Sequence, residues 1–254
     1  MANFQDALRG KRALVFGAGK GIGRALAAGL GEAGADLYVV ARTQDDLIEL
    51  EREAAGHGRR CAWRVADATD STQVNAAVDD ALRQFGALDI LVNAVGGNLR
   101  KAVVDIADDE WDRSLRSNLT SVFYACRAAG RHFLERKCGS VINVGSTAGM
   151  RGRPNAAAYS AGKAALVNFS RALAMEWASS GVRVNVLSPG RFLTPATASE
   201  MGDPEKYNAF IRNVPLRRIG QPGELKPIGV WLASDASSFV TGSVIVIDGG
   251  QTLL

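Results

Sequence analysis

The sequence predicts an α/β protein: one domain spanning residues 1–254, built on a doubly wound parallel sheet of about seven strands with helices on both faces. Three observations carry this. Short apolar runs alternate with amphipathic segments from residue 12 to the end, the pattern of βα units and of a sheet covered on both sides. The first apolar run ends in a glycine cluster, Gly17-Ala-Gly-Lys-Gly21-Ile-Gly23, at the carboxyl end of a strand, where such sheets bind ligands. The chain has 254 residues, enough for one large core, and shows no linker and no repeat beyond the βα alternation.

The elements follow in order. RALVF (12–16) reads as a short buried strand, and residues 21–34 place Ile22, Leu26 and Leu30 at helical spacing. LYVVAR (37–42) is a second strand. The helix over 43–56 is expected to be capped by Thr43, with Asp45 and Asp46 in its first turn, where the helix dipole favours acids. CAWRVAD (61–67) is a third strand, followed by a helix over 71–85 with Val74, Ala77, Val78 and Leu82 on one side. ALDILVNAVGG (87–97) is a fourth strand. One long helix is predicted over 108–137, a fifth strand over 139–146, another long helix over 155–180 and a sixth strand over 181–190. Residues 191–222 are polar and proline-bearing without clear periodicity; such stretches form lids and binding loops, and a substrate loop is expected there. A helix near 224–233 and a last strand, SVIVIDGG (243–250), end the pattern.

Composition narrows the function classes. Hydrophobic content is 47% and charged content 22%, as in soluble globular proteins. No apolar run reaches the ~20 residues of a membrane span, and the N-terminus has no apolar signal core, so a cytoplasmic protein without an anchor is expected. The net charge is +4 with basic residues scattered among acids, which argues against nucleic acid as a partner and leans toward anionic small molecules. Cys61, Cys126 and Cys138 lack metal-type spacing, as do the two histidines, His57 and His132; reduced thiols and no metal site are expected.

The glycine turn follows the first strand and opens the first helix. Glycines let the backbone approach a pyrophosphate, and the helix N-terminus favours its charge. The spacing is GxxxGxG, with Ile22 between Gly21 and Gly23. At the end of the second strand an acid would read a ribose 2′-hydroxyl and repel a 2′-phosphate. Here the residues are Val39-Val40-Ala41-Arg42-Thr43, with no acid and with a guanidinium suited to phosphate. Lys20 lies inside the glycine turn. Two cations and no acid favour NADP(H) over NAD; the alternative is two solvated cations. Asp67 has two open readings, an acceptor for the adenine amino group or a cap of the following helix.

Between 146 and 163 the chain carries a second device. Tyr159 and Lys163 are four apart, on one face of a helix, and Ser146 leaves a strand upstream. A free tyrosine ionises near pH ~10; a cation one turn away favours the phenolate. These three side chains are expected to meet around a substrate carbonyl.

With these residues in place, the chain resembles the classical short-chain dehydrogenase/reductase family nearly end to end, from Arg12 to Gly250. The glycine turn at Gly17–Gly23 matches, NAVG at Asn93–Gly96 looks like the family's NNAG, and Tyr159-Ser-Ala-Gly-Lys163 is its YxxxK, with Ser146 at the family's distance. The resemblance implies a Rossmann-type fold and a catalytic tetrad of Asn118, Ser146, Tyr159 and Lys163. It also implies cofactor contacts from Asn93, Gly96, Pro189, Gly190 and Thr194, with Lys163 holding the nicotinamide ribose and Asn118 supporting a proton-passing water. Asp248-Gly-Gly matches the family's C-terminal ending. Phe16 replaces the usual threonine before the glycine turn and Ala94 the second asparagine of NNAG; altered loop anchors are expected, with the chemistry intact. Family members are commonly tetramers built through the two long helices, so a homotetramer is expected, with a dimer as second choice.

The loops after strands four to six carry Arg100 and Lys101, then Arg151 and Arg153, then Arg191. Such a set recognises a carboxylate, and GGNLRK is similar to the stretch in gluconate 5-dehydrogenase-like members. An anionic or polyhydroxylated carbonyl substrate is the expectation; surface cations, 3-oxoacyl thioesters and steroid or alkaloid ketones are the alternatives. A nucleotide-sensing protein would not need Tyr159 and Lys163, and a purely structural module would need neither the glycine turn nor the tetrad.

Overall fold

The computed structural model describes residues 6–253, apart from the side chains of residues 199–201. Its strands are β1 (Arg12–Phe16), β2 (Asp36–Ala41), β3 (Cys61–Val65), β4 (Ile90–Asn93), β5 (Gly139–Val144), β6 (Val182–Pro189) and β7 (Val244–Ile247). They form one parallel sheet in the order β3-β2-β1-β4-β5-β6-β7. Against it lie α1 (Gly21–Glu32), α2 (Gln44–Gly56), α3 (Ser71–Phe85), α5 (Ser121–Arg136), α6 (Ala157–Trp177) and α9 (Lys226–Ala233); α4 (Asp108–Leu115) packs on α6, and the short α7 (Pro195–Met201) and α8 (Pro204–Ile211) follow β6.

Side chains alternate across the sheet and so build two cores. Ala13, Val15, Leu37, Val39, Ile90 and Val92 face Leu26 and Leu30 of α1, Leu50 of α2 and Val230 of α9. Leu14, Phe16, Tyr38, Val40 and Leu91 face Val74 of α3, Phe133 of α5 and Leu166 of α6. Phe16 is thus a buried core residue, which explains its departure from the family's threonine as packing. The strand order reverses between β1 and β4. Phe16 lies in register with Asn93, and the Ala94 amide donates to the Phe16 carbonyl at 2.9 Å. The glycine turn and the loop from residue 94 therefore leave the sheet side by side.

Four expectations change. The helix over 108–137 is broken by a π-helical turn at Arg116–Thr120, where the Ser121 amide reaches back to the Arg116 carbonyl. The cause lies in its side chains. Ser117 Oγ and Asn118 Nδ2 donate to the Ser114 carbonyl at 3.1 and 2.9 Å, and Ser121 Oγ to that of Ser117 at 2.8 Å, competing with the α-helical ladder. The helix predicted over 155–180 is α6, Ala157–Trp177, with a 3-10 turn after it. Thr43 stands at the start of α2 but makes no side-chain cap bond. Asp67 does not cap α3: that is done by Asp70, which accepts from the Thr72 and Gln73 amides at 2.8 and 3.2 Å, while Asp67 bonds locally to Thr69.

The 191–222 segment is not structureless. Pro195 and Pro204 each open a short helix, behind Thr194 and Asp203, the residue order that favours a helix start. These helices are too short for periodicity to reveal. The neck of the excursion is pinched by Leu193 N to Gly220 O at 2.9 Å and Gly220 N to Arg191 O at 3.1 Å. No helix among the described residues is long and apolar enough to cross a membrane.

Candidate active site

At the nucleotide end, Gly17 has φ +79° and donates to the Val40 carbonyl at 2.9 Å. A β-carbon on Gly23 would stand 2.1 Å from the Gly17 carbonyl oxygen and 3.0 Å from the Ala94 methyl. Ala94 therefore packs a small side chain against the turn. The first turn of α1 has no side-chain cap and no acid, so its free amides suit an anion, as a pyrophosphate requires. Ile22 packs against the core beneath. Thr194 closes the far side, 3.3 Å from where a Gly21 β-carbon would lie. Gly23→Ala forces this turn to move, at about 1–3 kcal/mol of overpacking. Nicotinamide dinucleotide binding, followed by fluorescence titration, should weaken about ten- to hundredfold; wild-type affinity would show that the turn is not the binding surface.

Arg42 is exposed at the end of β2, with no hydrogen bond or ion pair among the described residues. Lys20 is partly engaged by Asp46 at 3.6 Å. Asp46 also lies 3.1 Å from the position of a Gly19 β-carbon. The sequence reading placed Asp46 only in a helix turn; its nearness to the glycine turn comes from the β2–α2 connection. The Asn93 side chain is buried and donates to Asn143 Oδ1 at 2.8 Å, and Asn143 continues to Ser170 Oγ at 2.9 Å, so it braces β4 against β5.

At the catalytic end the four predicted residues converge. Asn118 is fully buried in the π-helical turn, donates to Gly97 O at 2.9 Å and accepts from Gly97 N at 3.3 Å. A β-carbon on Gly96 would lie 2.7 Å from Asn118 Oδ1 and 3.2 Å from Lys163 Nζ, so only glycine lets these two groups close in. Lys163 is buried and donates to the Val144 carbonyl at 2.8 Å; burial pulls its pKa down to about 8. Ser146 Oγ accepts from the Ala148 amide at 3.1 Å, which leaves its hydroxyl hydrogen for Tyr159.

Burial raises the Tyr159 pKa; the Ser146 hydrogen bond and the Arg153 charge oppose this. Lys163, one turn further along α6, directs its ammonium to the Val144 carbonyl. The Arg153 guanidinium donates to Thr147 Oγ1 at 2.8 Å and Gln251 Oε1 at 3.1 Å. Burial lowers its pKa, followed by the like charges of Arg191, Arg100 and Arg151. The four candidate arginines therefore share one region, with Arg191 also stacked over Phe210 of α8 at 4.5 Å. Lys101 is drawn away to Glu110 at 2.7 Å. Gln251 carried no signal in the sequence: a lone glutamine after the last strand has no pattern to mark it.

The remaining titratable candidates serve the structure. His132 Nε2 accepts from the Leu88 amide at 3.0 Å, and Cys126 is buried with its thiol pushed up to about 12. Among the described residues no cluster of three His, Cys, Asp or Glu could hold a metal.

A doubly wound sheet with a glycine turn at its switch point, beside a serine–tyrosine–lysine–asparagine cluster, defines an oxidoreductase that works with a bound dinucleotide. A family model described as enoyl-(acyl carrier protein) reductase matches residues 17–252. 3beta-Hydroxysteroid dehydrogenase 1 of Eggerthella lenta is 37% identical, covering 98% of this chain and 96% of its own. A gluconate 5-dehydrogenase from Burkholderia cenocepacia, solved with NADP and tartrate, superposes with a TM-score of 0.93 at 35% identity over 99% and 98% of the two chains. An NAD+-bound xylitol dehydrogenase gives 0.91 at 32% identity over 96% and 99%. The chain belongs to the short-chain dehydrogenase/reductase family, whose members use a nicotinamide cofactor.

Proposed function

We propose that this chain is a cytoplasmic, NADP(H)-dependent oxidoreductase that interconverts an anionic ketone or aldehyde and its alcohol, with Tyr159 as the acid–base group. The observation that carries the substrate class is the grouping of Arg191, Arg100 and Arg151 about Arg153, the arginine whose charge reaches Tyr159. A guanidinium set of this kind suits a carboxylate held in two places. Tartrate, the ligand in the Burkholderia gluconate 5-dehydrogenase, is a hydroxylated dicarboxylate of that type. Arg42 supports the 2′-phosphate, and Asp67, after the carboxyl end of the adjacent parallel strand β3, supports the adenine.

In the reduction direction Tyr159 gives its phenolic proton to the substrate oxygen, and Ser146 donates a hydrogen bond to that oxygen. Lys163 and Asn118 border the vacated proton site and lead protons back to it. The cofactor, when bound against the glycine turn, Pro189, Gly190 and Thr194, supplies the hydride. Phe123 of α5 lies edge-on to Phe169 of α6 and is 40% exposed, which supports a homotetramer built through these helices.

A keto acid should be reduced with a kcat/KM at least about tenfold above that of its amide, the worth of one charged hydrogen bond. Equal values would remove the carboxylate contact. The family model's description favours a second reading, an acyl-thioester substrate, and a 3-oxoacyl thioester in the same panel separates the two.

A further inference from the structure

We propose that Asp46 is a specificity-determining residue of the nucleotide site: held against the glycine turn and paired with Lys20, it keeps that cation from a 2′-phosphate and so narrows the preference for NADP(H) over NAD(H). This rests on the reading of the β2 end as the place where the nucleotides are told apart, and adds an acid to it. The strand end itself has none; Asp46 stands in the first turn of α2, and the fold brings it back. The Gly17 and Ala18 amides donate to the Val40 carbonyl at 2.9 and 3.1 Å, which seats the glycine turn on the end of β2. A β-carbon on Gly19 would stand 3.1 Å from Asp46 Oδ2, 3.3 Å from the Asp46 β-carbon and 3.1 Å from the Ala41 methyl. Gly19 is buried and, unlike Gly17 and Gly21, has no left-handed backbone, so conformation does not call for glycine here. The missing side chain is the room that Asp46 occupies.

From that place Asp46 Oδ2 lies 3.6 Å from Lys20 Nζ, with the acid's side chain 19% exposed and the lysine's 62%. The acid is therefore the fixed partner and the lysine the one drawn to it. A first-turn position favours a negative charge. Arg24, the other cation beside this helix start, donates to the Asp46 carbonyl at 3.1 Å and pairs with Glu53 at 2.6 Å and Glu49 at 3.4 Å. Among the described residues, Lys20 is thus the one cation paired with the Asp46 carboxylate. A phosphate bound by Arg42 finds the lysine of the glycine turn already engaged and an anion fixed against that turn. A nucleotide without the 2′-phosphate brings no charge for either to act on. The pair therefore bears on one nucleotide and leaves the other almost untouched.

The test is a fluorescence titration of the full chain with NADPH and with NADH, without substrate. Asp46→Asn keeps the size of the side chain and removes its charge. NADPH affinity should rise about fivefold, the worth of an exposed ion pair whose cation is released to a new partner, while NADH affinity changes less than about twofold. Lys20→Met alone should weaken NADPH binding by less than about twofold, yet added to Asp46→Asn it should cancel the gain. An unchanged NADPH affinity in Asp46→Asn overturns the inference. So does an equal rise for both nucleotides, which marks a loosened turn, or a gain that survives Lys20→Met. A fivefold loss in Lys20→Met alone also overturns it, because the lysine would then already serve the phosphate. If Asp46→Asn does not fold, Asp46→Ser, another residue suited to a helix start, takes its place in the same cycle. Arg42→Ala separates this inference from the nucleotide preference proposed above. NADPH affinity that falls in Arg42→Ala but does not move in Asp46→Asn keeps that preference and sinks the role of Asp46. Affinity unmoved in Arg42→Ala but raised in Asp46→Asn does the reverse.

Discussion

Tyr159→Phe is expected to lower kcat by about 10³-fold, within the 10²–10⁴ range that one positioned acid–base group supplies, while nucleotide affinity stays at the wild-type level. The ring is partly buried at the start of α6, and phenylalanine preserves its packing. Only the hydroxyl is lost, and with it the atom that Ser146 and Arg153 act on. The Lys163 bond to Val144 and the Asn118 bonds to Gly97 do not involve that hydroxyl. Stopped-flow measurement of a single turnover, beside a fluorescence titration with NADPH, checks both halves. A variant that keeps near-wild-type kcat would remove the tyrosine from the chemistry.

Arg42→Asp is expected to reverse the nucleotide preference, moving the ratio of kcat/KM for NADPH over NADH by about 10²–10³-fold. The wild-type residue is an exposed cation at the end of β2, and among the described residues it has no hydrogen-bond or ion-pair partner to compete with a phosphate. Losing one charge-assisted contact costs about 1.5–3 kcal/mol, roughly ten- to a hundredfold, and the introduced carboxylate adds repulsion toward the 2′-phosphate while accepting from the 2′-hydroxyl. Lys20 does not make up the loss, because Asp46 already engages it. Steady-state kinetics with both nucleotides decide the matter; an unchanged ratio would return Arg42 to the solvent.

Much of this was legible in the sequence, and the physical reasons are uneven. The sheet was legible because buried parallel strands are short apolar runs, and the glycine turn because Gly23 leaves no room for any side chain. Ser146, Tyr159 and Lys163 were legible by spacing. The break in the long helix was not, since apolar periodicity is blind to side chains that take up backbone carbonyls; the run Ser114, Ser117, Asn118, Ser121 was the available sign. The bond from Asn93 to Asn143 was not legible, because a motif position says nothing of which way the side chain turns. Arg153 was singled out as a cation, but its anchor Gln251 lies 98 residues on, a separation only the fold can close. Asp46 escaped for the same reason on a smaller scale.

The π-helical turn carries a consequence for how this region tolerates change in length. An α-helix turns about 100° per residue, so the extra residue held between Arg116 and Ser121 sets the phase of everything before it against everything after. Substitutions in α4 leave that phase alone. A one-residue deletion between 116 and 120 does not: it would let the ladder close as an ordinary helix and swing Asn118 out of line with Gly97 and Lys163, or rotate α4 relative to α6. Single-residue gaps here are therefore changes of the site itself, although every catalytic side chain would still be present in the sequence.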